Sequence, residues 1–448
     1  LVRSLLLPEE RYMKELLKKI FWKLPLSSGV KNKIAQKRFE RILEKEKAAD
    51  EKNIMIVDSD RTKCFEYSKY VLSLYKRTSK YYKEYCQHKS EDYKTVLVAY
   101  YLTQFHPNKH NDEWWGKGTT EWNNVNQAIP QYIGHNQPRK PGELGYYDLR
   151  IKDNLQRQIE MAKNYGVSAF CFYYYWFDNG ERLLESPLNL FLNSKELEMK
   201  FFYCWANENW TKRFSGTDSD ILIKITHTED NYKRFIDSII NDFDDPRYYK
   251  IGEKVVLSVY RPANIPNPEV VLDYWRKRVK QKCGKNLYLI AVQEKDVSTD
   301  WCKVGFDAES EFQPKQIEHN CKMINDQLSI IRKDFSGRIY DYADMVNNYR
   351  YEIKENKRKK VYSAVMPAWD NTPRRNSRAI IFEGSTPELY KKWLIDIINK
   401  VTANDILDDK MIFINAWNEW GEGAYLEPDD YMGYAYLQAT WEALQETR

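Results

Sequence analysis

From about residue 93 onward, short apolar runs rich in β-branched and aromatic residues alternate with segments of helical periodicity. This alternation limits the fold more than any other feature of the 448-residue chain. The runs are 96–105 (VLVAYYLTQF), 168–177 (SAFCFYYYWF), 200–207 (KFFYCWAN), 255–262 (VVLSVYRP), 287–293 (LYLIAVQ), 306–313 (FDAESEFQ), 361–369 (VYSAVMPAW) and 411–418 (MIFINAWN). Strands that are apolar on both faces belong in a parallel sheet covered by helices. Between the first two runs, NLQRQIEMAKNYG places Leu155, Ile159 and Ala162 on one helical face, and Gly166 supplies the stop. Similar segments occupy 231–243, 268–281, 341–356 and 386–402. Eight such units predict an α/β fold, a (β/α)8 or TIM barrel over residues 93–448. No glycine-rich phosphate fingerprint follows the first run, which argues against a dinucleotide-binding sheet.

Residues 1–92 have a different texture and predict a basic helical segment preceding the barrel. Residues 1–90 carry a balance of +10, whereas the rest of the chain carries −5. In RYMKELLKKIFWKLP the apolar positions Tyr12, Met13, Leu16, Leu17, Ile20, Phe21 and Leu24 form one stripe, and Pro25 ends it. Such a helix either packs on a protein surface or lies on an anionic membrane, so peripheral membrane contact through residues 11–24 is one of two expectations. The aromatic residues cluster in the acidic body and not among the basic residues, so no nucleic-acid partner is expected. Seven scattered cysteines make neither a disulfide framework nor a metal motif. No secretory leader or spanning segment is recognisable. These features predict a cytoplasmic protein, with membrane association as an option.

In a (β/α)8 barrel the active site lies where the strands end, and here those ends gather polar and indole side chains. The first run leads to His106 and to a long loop with Trp114, Trp115, Glu121 and Trp122. The second ends near Tyr175, and the third supplies Trp205, Asn207, Glu208 and Trp210. Glu311 and Trp369 close the sixth and seventh, and the eighth runs into INAWNEWGEGAYLEP, with Asn418, Glu419, Trp420 and Glu422. Carboxylates beside flat apolar rings suit a sugar, and two carboxyl groups are the minimum equipment for breaking a glycosidic bond. Glu419 and Glu422 are the candidate catalytic pair. Their three-residue spacing also occurs on solvated helix faces, but the flanking Trp417, Trp420, Gly421 and Gly423 argue against a helix here. Glu208 either orients sugar hydroxyls or pairs with Arg213. His106 either touches ligand or satisfies a strand end, and the indoles of the long loop either stack on ligand or pack the loop. No cofactor and no metal are expected.

Six ordered stretches carry a family resemblance: YYLTQFHPNKHNDEWWGKGTTEWNNV, GHNQPRKPGELGYYDLR, FCFYYYWF, CWANENWTKR, PAWDNTPRR and NAWNEWGEGAYLEPD. Together they resemble the WbsX-type polysaccharide-biosynthesis family, which occurs with polysaccharide-assembly genes and is often labelled as glycosyltransferases. That family is similar in turn to glycoside hydrolase family 99, the endo-α-mannosidase-like barrels. The resemblance covers residues 93–448 and leaves out the basic segment. It implies a Glu-Trp-x-Glu-Gly motif at Glu419-Trp420-Gly421-Glu422-Gly423 and a retaining route without an enzyme nucleophile. Glu419 would deprotonate the sugar 2-hydroxyl, which attacks C1, while Glu422 would serve as acid and then base. Gly421 departs from the bulkier residue usual in the hydrolases, so mannose is not implied.

Three functions follow as expectations: a retaining hydrolase or transglycosidase on an α-linked polysaccharide, a sugar-nucleotide-dependent glycosyltransferase, and a carbohydrate-binding barrel without chemistry. Asp218-Ser219-Asp220 has the letters of a metal–nucleotide motif but falls in a loop beside the third run.

Overall fold

The structure is a computed structural model. It describes residues 78–89, 91–211, 221–293, 298–314, 321–348 and 360–448, with Phe65, Ser68, Lys69 and Leu72 in isolation. The chain divides into two compact units, Leu1–Leu72 and Ser73–Arg448, and the barrel belongs to the second. The amphipathic stretch 11–24, Arg213 and Asp218–Asp220 lie outside the described residues.

Eight parallel strands close into a barrel: β1 (Val96–Tyr101), β2 (Val167–Trp176), β3 (Lys200–Trp205), β4 (Lys254–Val259), β5 (Asn286–Gln293), β6 (Ala308–Glu311), β7 (Val361–Val365) and β8 (Met411–Ile414). Neighbours pair in chain order, and β8 returns to β1 with Val96 opposite Met411. Each strand lies within, or overlaps, one of the eight apolar runs read from the sequence. The reason is visible in the burial. From Leu97 to Tyr101, from Phe201 to Trp205 and from Met411 to Ile414 every residue is buried, inward side chains by the barrel and outward ones by helices.

The helices are α1 (Lys109–Trp115), α2 (Glu121–Gln127), α3 (Lys152–Asn164), α4 (Ser186–Asn193), α5 (Glu229–Ile239), α6 (Pro268–Cys283), α7 (Trp301–Val304), α8 (Tyr342–Asn348), α9 (Thr372–Arg375), α10 (Pro387–Thr402) and α11 (Ala435–Glu446). Local chemistry sets their ends. In α10, Pro387 opens the first turn, the Thr386 side chain accepts from Leu389 N at 3.3 Å, and Tyr390, Trp393, Leu394, Ile397, Ile398 and Val401 form the buried stripe. After α3, Gly166 adopts φ +87°, and a side chain there would also run into Leu444. Among the described residues, no helix is long and apolar enough to cross a membrane.

Two additions matter for the site. A small sheet joins Arg338–Asp341, Ile380–Glu383 and Trp369–Asp370, built on the segments that follow β6 and β7. Before β1, residues 78–89 lie against α3 and α11. Cys86 N donates to Tyr165 Oη at 2.9 Å, and the His88 ring stacks on Trp441 at 3.8 Å.

Candidate active site

A cleft open to solvent lies at the C-terminal ends of the strands. Its floor is aromatic because inward residues alternate along each strand. Tyr173 lines it and stacks on Tyr100, which also meets Phe312 edge-on at 5.3 Å. Tyr175, two residues on, stands against Trp210 at 5.2 Å. Tyr260 completes this apolar wall after β4. The polar wall comes from Gln104, Glu121, Glu208, Arg374, Asn415, Glu419 and Glu422.

The centre of the polar wall is one guanidinium among three carboxylates. Arg374 Nε donates to Glu121 Oε1 at 2.9 Å and Nη2 to Glu419 Oε1 at 2.8 Å, while Nη1 lies 3.3 Å from Glu422 Oε1. Burial opposes the Arg374 charge, but Glu121, Glu419 and Glu422 outweigh it and hold the guanidinium protonated. Burial raises the Glu419 carboxyl well above the ordinary carboxylate range; Arg374 works against that shift, and Glu422 and Glu121 add to it. Glu419 therefore retains a proton more readily than an isolated carboxyl does.

A second network sets Arg374 in place. The Thr372 backbone N–H and hydroxyl both donate to Asp370 Oδ1, at 3.1 and 2.5 Å, which starts α9. Asp370 Oδ2 accepts from His135 Nε2 at 2.7 Å and Gln137 Nε2 at 2.6 Å. Gln131 N donates to His135 Nδ1 at 3.1 Å, so the imidazole proton is the one given to Asp370. Arg139 Nη1 donates to the Gly423 carbonyl at 3.1 Å, linking this network to the turn after β8. Burial opposes ionisation of Asp370, yet His135, Arg139 and Thr372 prevail and hold it below its usual range. The stretches GHNQPR and PAWDNTPRR thus form one scaffold.

The family described as Glycosyltransferase WbsX matches residues 97–440. The chain belongs to the WbsX family. Two curated relatives, both called uncharacterized protein WxcX and both from Xanthomonas campestris pv. campestris, are 40% identical over 349 residues. The match covers 78% of this chain and 49% of theirs, so the chain spans about half the length of these relatives. Among solved structures, the family 99 endo-α-mannosidase of Bacteroides thetaiotaomicron is similar at 16% identity and TM-score 0.49, covering 79% of this chain and 97% of that one. A glycoside hydrolase-like protein is similar at 15% identity and TM-score 0.49, covering 81% and 97%.

In this WbsX chain the cavity gathers six of the residues predicted for the site: Glu121, Tyr175, Glu208, Trp210, Glu419 and Glu422. Glu208 pairs with Arg261 Nη2 at 2.8 Å. The remaining nine do not line it. Asn207 and Asn418 are fully buried braces. Asn207 accepts from Arg261 N at 2.7 Å and donates to the Arg261 carbonyl. Asn418 accepts from Leu102 N at 2.8 Å and donates back to Leu102 O at 2.9 Å, tying the turn after β8 to β1. Trp205 faces outward and stacks on Phe235 of α5 at 3.7 Å. Trp420 stacks on Tyr425 and donates to Glu427 Oε2 at 2.7 Å, and Trp417 packs near Phe170. Trp122 donates to the Tyr147 carbonyl at 2.8 Å, and Trp115 packs edge-on against Trp114. Trp369 is buried in the small sheet. Glu311 accepts from Ala364 N at 3.0 Å. Burial of His106 lowers its pKa, which suits an uncharged ring. The common cause is that an indole or amide at a strand end finds a protein partner as readily as a ligand.

Sequence reasoning missed Arg374, Tyr173, Tyr260, Phe312 and Asn415. Period-two alternation from Tyr175 marks Tyr173. Nothing local distinguishes Arg374 from Arg375. Among the described residues, Asp300, Cys302 and Glu309 form the group with metal-ligand spacing, away from the cavity wall, and Glu309 there already accepts from Trp301 N and Gln293.

Proposed function

We propose that this chain is a retaining glycoside hydrolase or transglycosidase acting on an uncharged, α-linked polysaccharide. The observation that carries this reading is the meeting of Glu419 and Glu422 in one cavity walled by Tyr173, Tyr175, Trp210, Tyr260 and Phe312. Rings of this kind stack on sugar faces, and the carboxyls supply proton transfer. Three groups on the wall have no partner among the described residues: the Gln104 and Trp210 donors and the Glu121 Oε2 acceptor. Sugar hydroxyls accept as well as donate, and would satisfy the Gln104 and Trp210 donors.

The chemistry follows the roles that the motif implies. Glu419 takes the proton of the 2-hydroxyl as O2 bonds to C1. The bond from C1 to the leaving oxygen breaks, and Glu422 gives that oxygen its proton. Glu422 then removes a proton from water or a sugar hydroxyl, whose oxygen attacks C1. The C1–O2 bond breaks and Glu419 returns the proton to O2. Two inversions at C1 give net retention.

A nucleotide sugar fits this wall poorly. Its diphosphate would meet Glu121, Glu208, Glu419 and Glu422, and Arg374 is already shared by three of them. The test is to incubate the native protein with neutral α-linked glycans, with and without a panel of nucleotide sugars, and follow product oligosaccharides. Product without any nucleotide is expected. Product that forms only when a nucleotide sugar is supplied would overturn the reading in favour of the glycosyltransferase.

A further inference from the structure

Gly421 stands between the two glutamates, and the space its side chain would take is already filled. A β-carbon built there would come within 2.6 Å of Arg374 Nε and 2.9 Å of Arg374 Cζ, and would overlap Glu121 Oε1. The backbone at Gly421 is outside the left-handed region, so glycine is present for space and not for conformation. The occupant is the Arg374–Glu121 pair. Glu121 is fully buried, whereas the Glu419 and Glu422 side chains are 8% and 24% exposed. Glu121 thus anchors the guanidinium from behind, and the other two carboxyls meet it from the solvent side.

We propose that Arg374 is the positioning residue of the Glu419/Glu422 pair, that Glu121 anchors it, and that Gly421 is glycine in order to admit it. This rests on the function proposed above and adds what governs the proton count of the pair. The charged and titratable groups facing Glu419 are Arg374 from α9, Glu422 from its own turn, Glu121 from α2 and Tyr175 from β2. Only Arg374 among them favours the carboxylate; Glu422 and Glu121 disfavour it, as burial does. Without the cation, every remaining influence on Glu419 favours the protonated form over the base that the reaction needs. Glu422 makes the longest of the three contacts and has the most exposed side chain, which leaves it open to a ligand atom. Asp370 acts one step further back, by fixing the first turn of α9.

The test reads the Glu419 titration directly and needs no substrate. Infrared difference spectra between each protein and the same protein carrying Glu419→Gln isolate its carboxyl band across pH. Arg374→Met is expected to raise the Glu419 midpoint by at least about one unit, a tenfold gain in proton affinity. Arg374→Lys should raise it less, because an ammonium keeps the charge but reaches fewer carboxylates. Gly421→Ala should raise it too, since the added carbon displaces the guanidinium; this variant keeps every charge and carries the test if Arg374→Met fails to fold. An unmoved midpoint in folded Arg374→Met or Gly421→Ala would overturn the proposal. A raised midpoint in a protein that turns over no neutral glycan would instead sink the reaction while leaving the role of Arg374 standing.

Discussion

The Trp420 indole donates to Glu427 Oε2 at 2.7 Å, so the residue directly after Glu419, in the turn that leads to Glu422, is fastened from behind by a third, wholly buried carboxyl. Tyr147 Oη donates to the same oxygen at 2.8 Å and Gln158 Nε2 to Oε1 at 2.5 Å. Burial pushes Glu427 up to about 7, against the pull of these donors. A carboxyl raised on folding favours the folded state below its unfolded pKa and loses that contribution as pH rises through the folded one. Between about pH 4.5 and 7 the change is about 3 kcal/mol. Melting temperature should therefore fall across that window in the native protein. Glu427→Gln should flatten the slope and lower stability by about 1–3 kcal/mol, because an amide cannot accept from all three donors. An equally steep slope in the variant would count against this assignment.

Asp370 should behave in the opposite sense. Its carboxyl is held below the usual range on folding, so its contribution is present above the unfolded pKa and is lost as pH falls below it. Asp370→Asn should cost about 3–5 kcal/mol at neutral pH, the usual scale for removing one partner of a buried ionic network. Its acid-unfolding slope should be shallower than the native one. Denaturant titrations at pH 7 and pH 3 measure both.

Residues that line the cavity and residues that brace it should separate on mutation. Trp210→Ala removes a wall of the cavity and should weaken glycan binding at least about tenfold with stability nearly unchanged. Asn418→Ala strands the Leu102 N–H and carbonyl in the interior and should cost about 2–4 kcal/mol. Calorimetric melting and glycan affinity, read on both variants, distinguish the two classes.

The barrel was legible because most of its strands are apolar on both faces, with β6 (Ala308–Glu311, AESE) the polar exception, and a helix-covered parallel sheet explains that pattern. The candidate pair was legible for a different reason: no helix face or packed loop accounts for Glu419 and Glu422 between glycines and indoles. The indoles themselves misled. In β3, Cys204 lies near Tyr100 and Tyr173 within the barrel, so its neighbour Trp205 must face the helices. Strict alternation would have removed it from the site. Asn207, Asn418 and Trp420 were unreadable, because a buried amide or indole looks the same whether its partner is a backbone, a carboxyl or a sugar. Arg374 depends on a contact between residues 370 and 135, which no local pattern reveals.

The basic stretch 11–24 yields its own expectation. If it serves as a membrane-surface helix, the intact chain should float with vesicles rich in anionic lipid at low salt, and added salt should release it. A chain beginning at residue 73 should not float, while its glycan affinity stays within about tenfold of the intact value. Indifference of the intact chain to such vesicles would leave packing on protein as the role of the stripe.

The central claim is that Glu419 and Glu422 carry the chemistry, and the most direct measurement is turnover of a neutral α-linked glycan by the two Glu→Gln variants. Each change removes a titrating proton while keeping shape, so each should lower turnover by at least about a hundredfold. Binding of the intact glycan should persist on Tyr175 and Trp210. A good leaving group should partly rescue Glu422→Gln and not Glu419→Gln, whose 2-hydroxyl still lacks a base. Native turnover in the variant carrying both changes would contradict the account and move the chemistry to another part of the barrel.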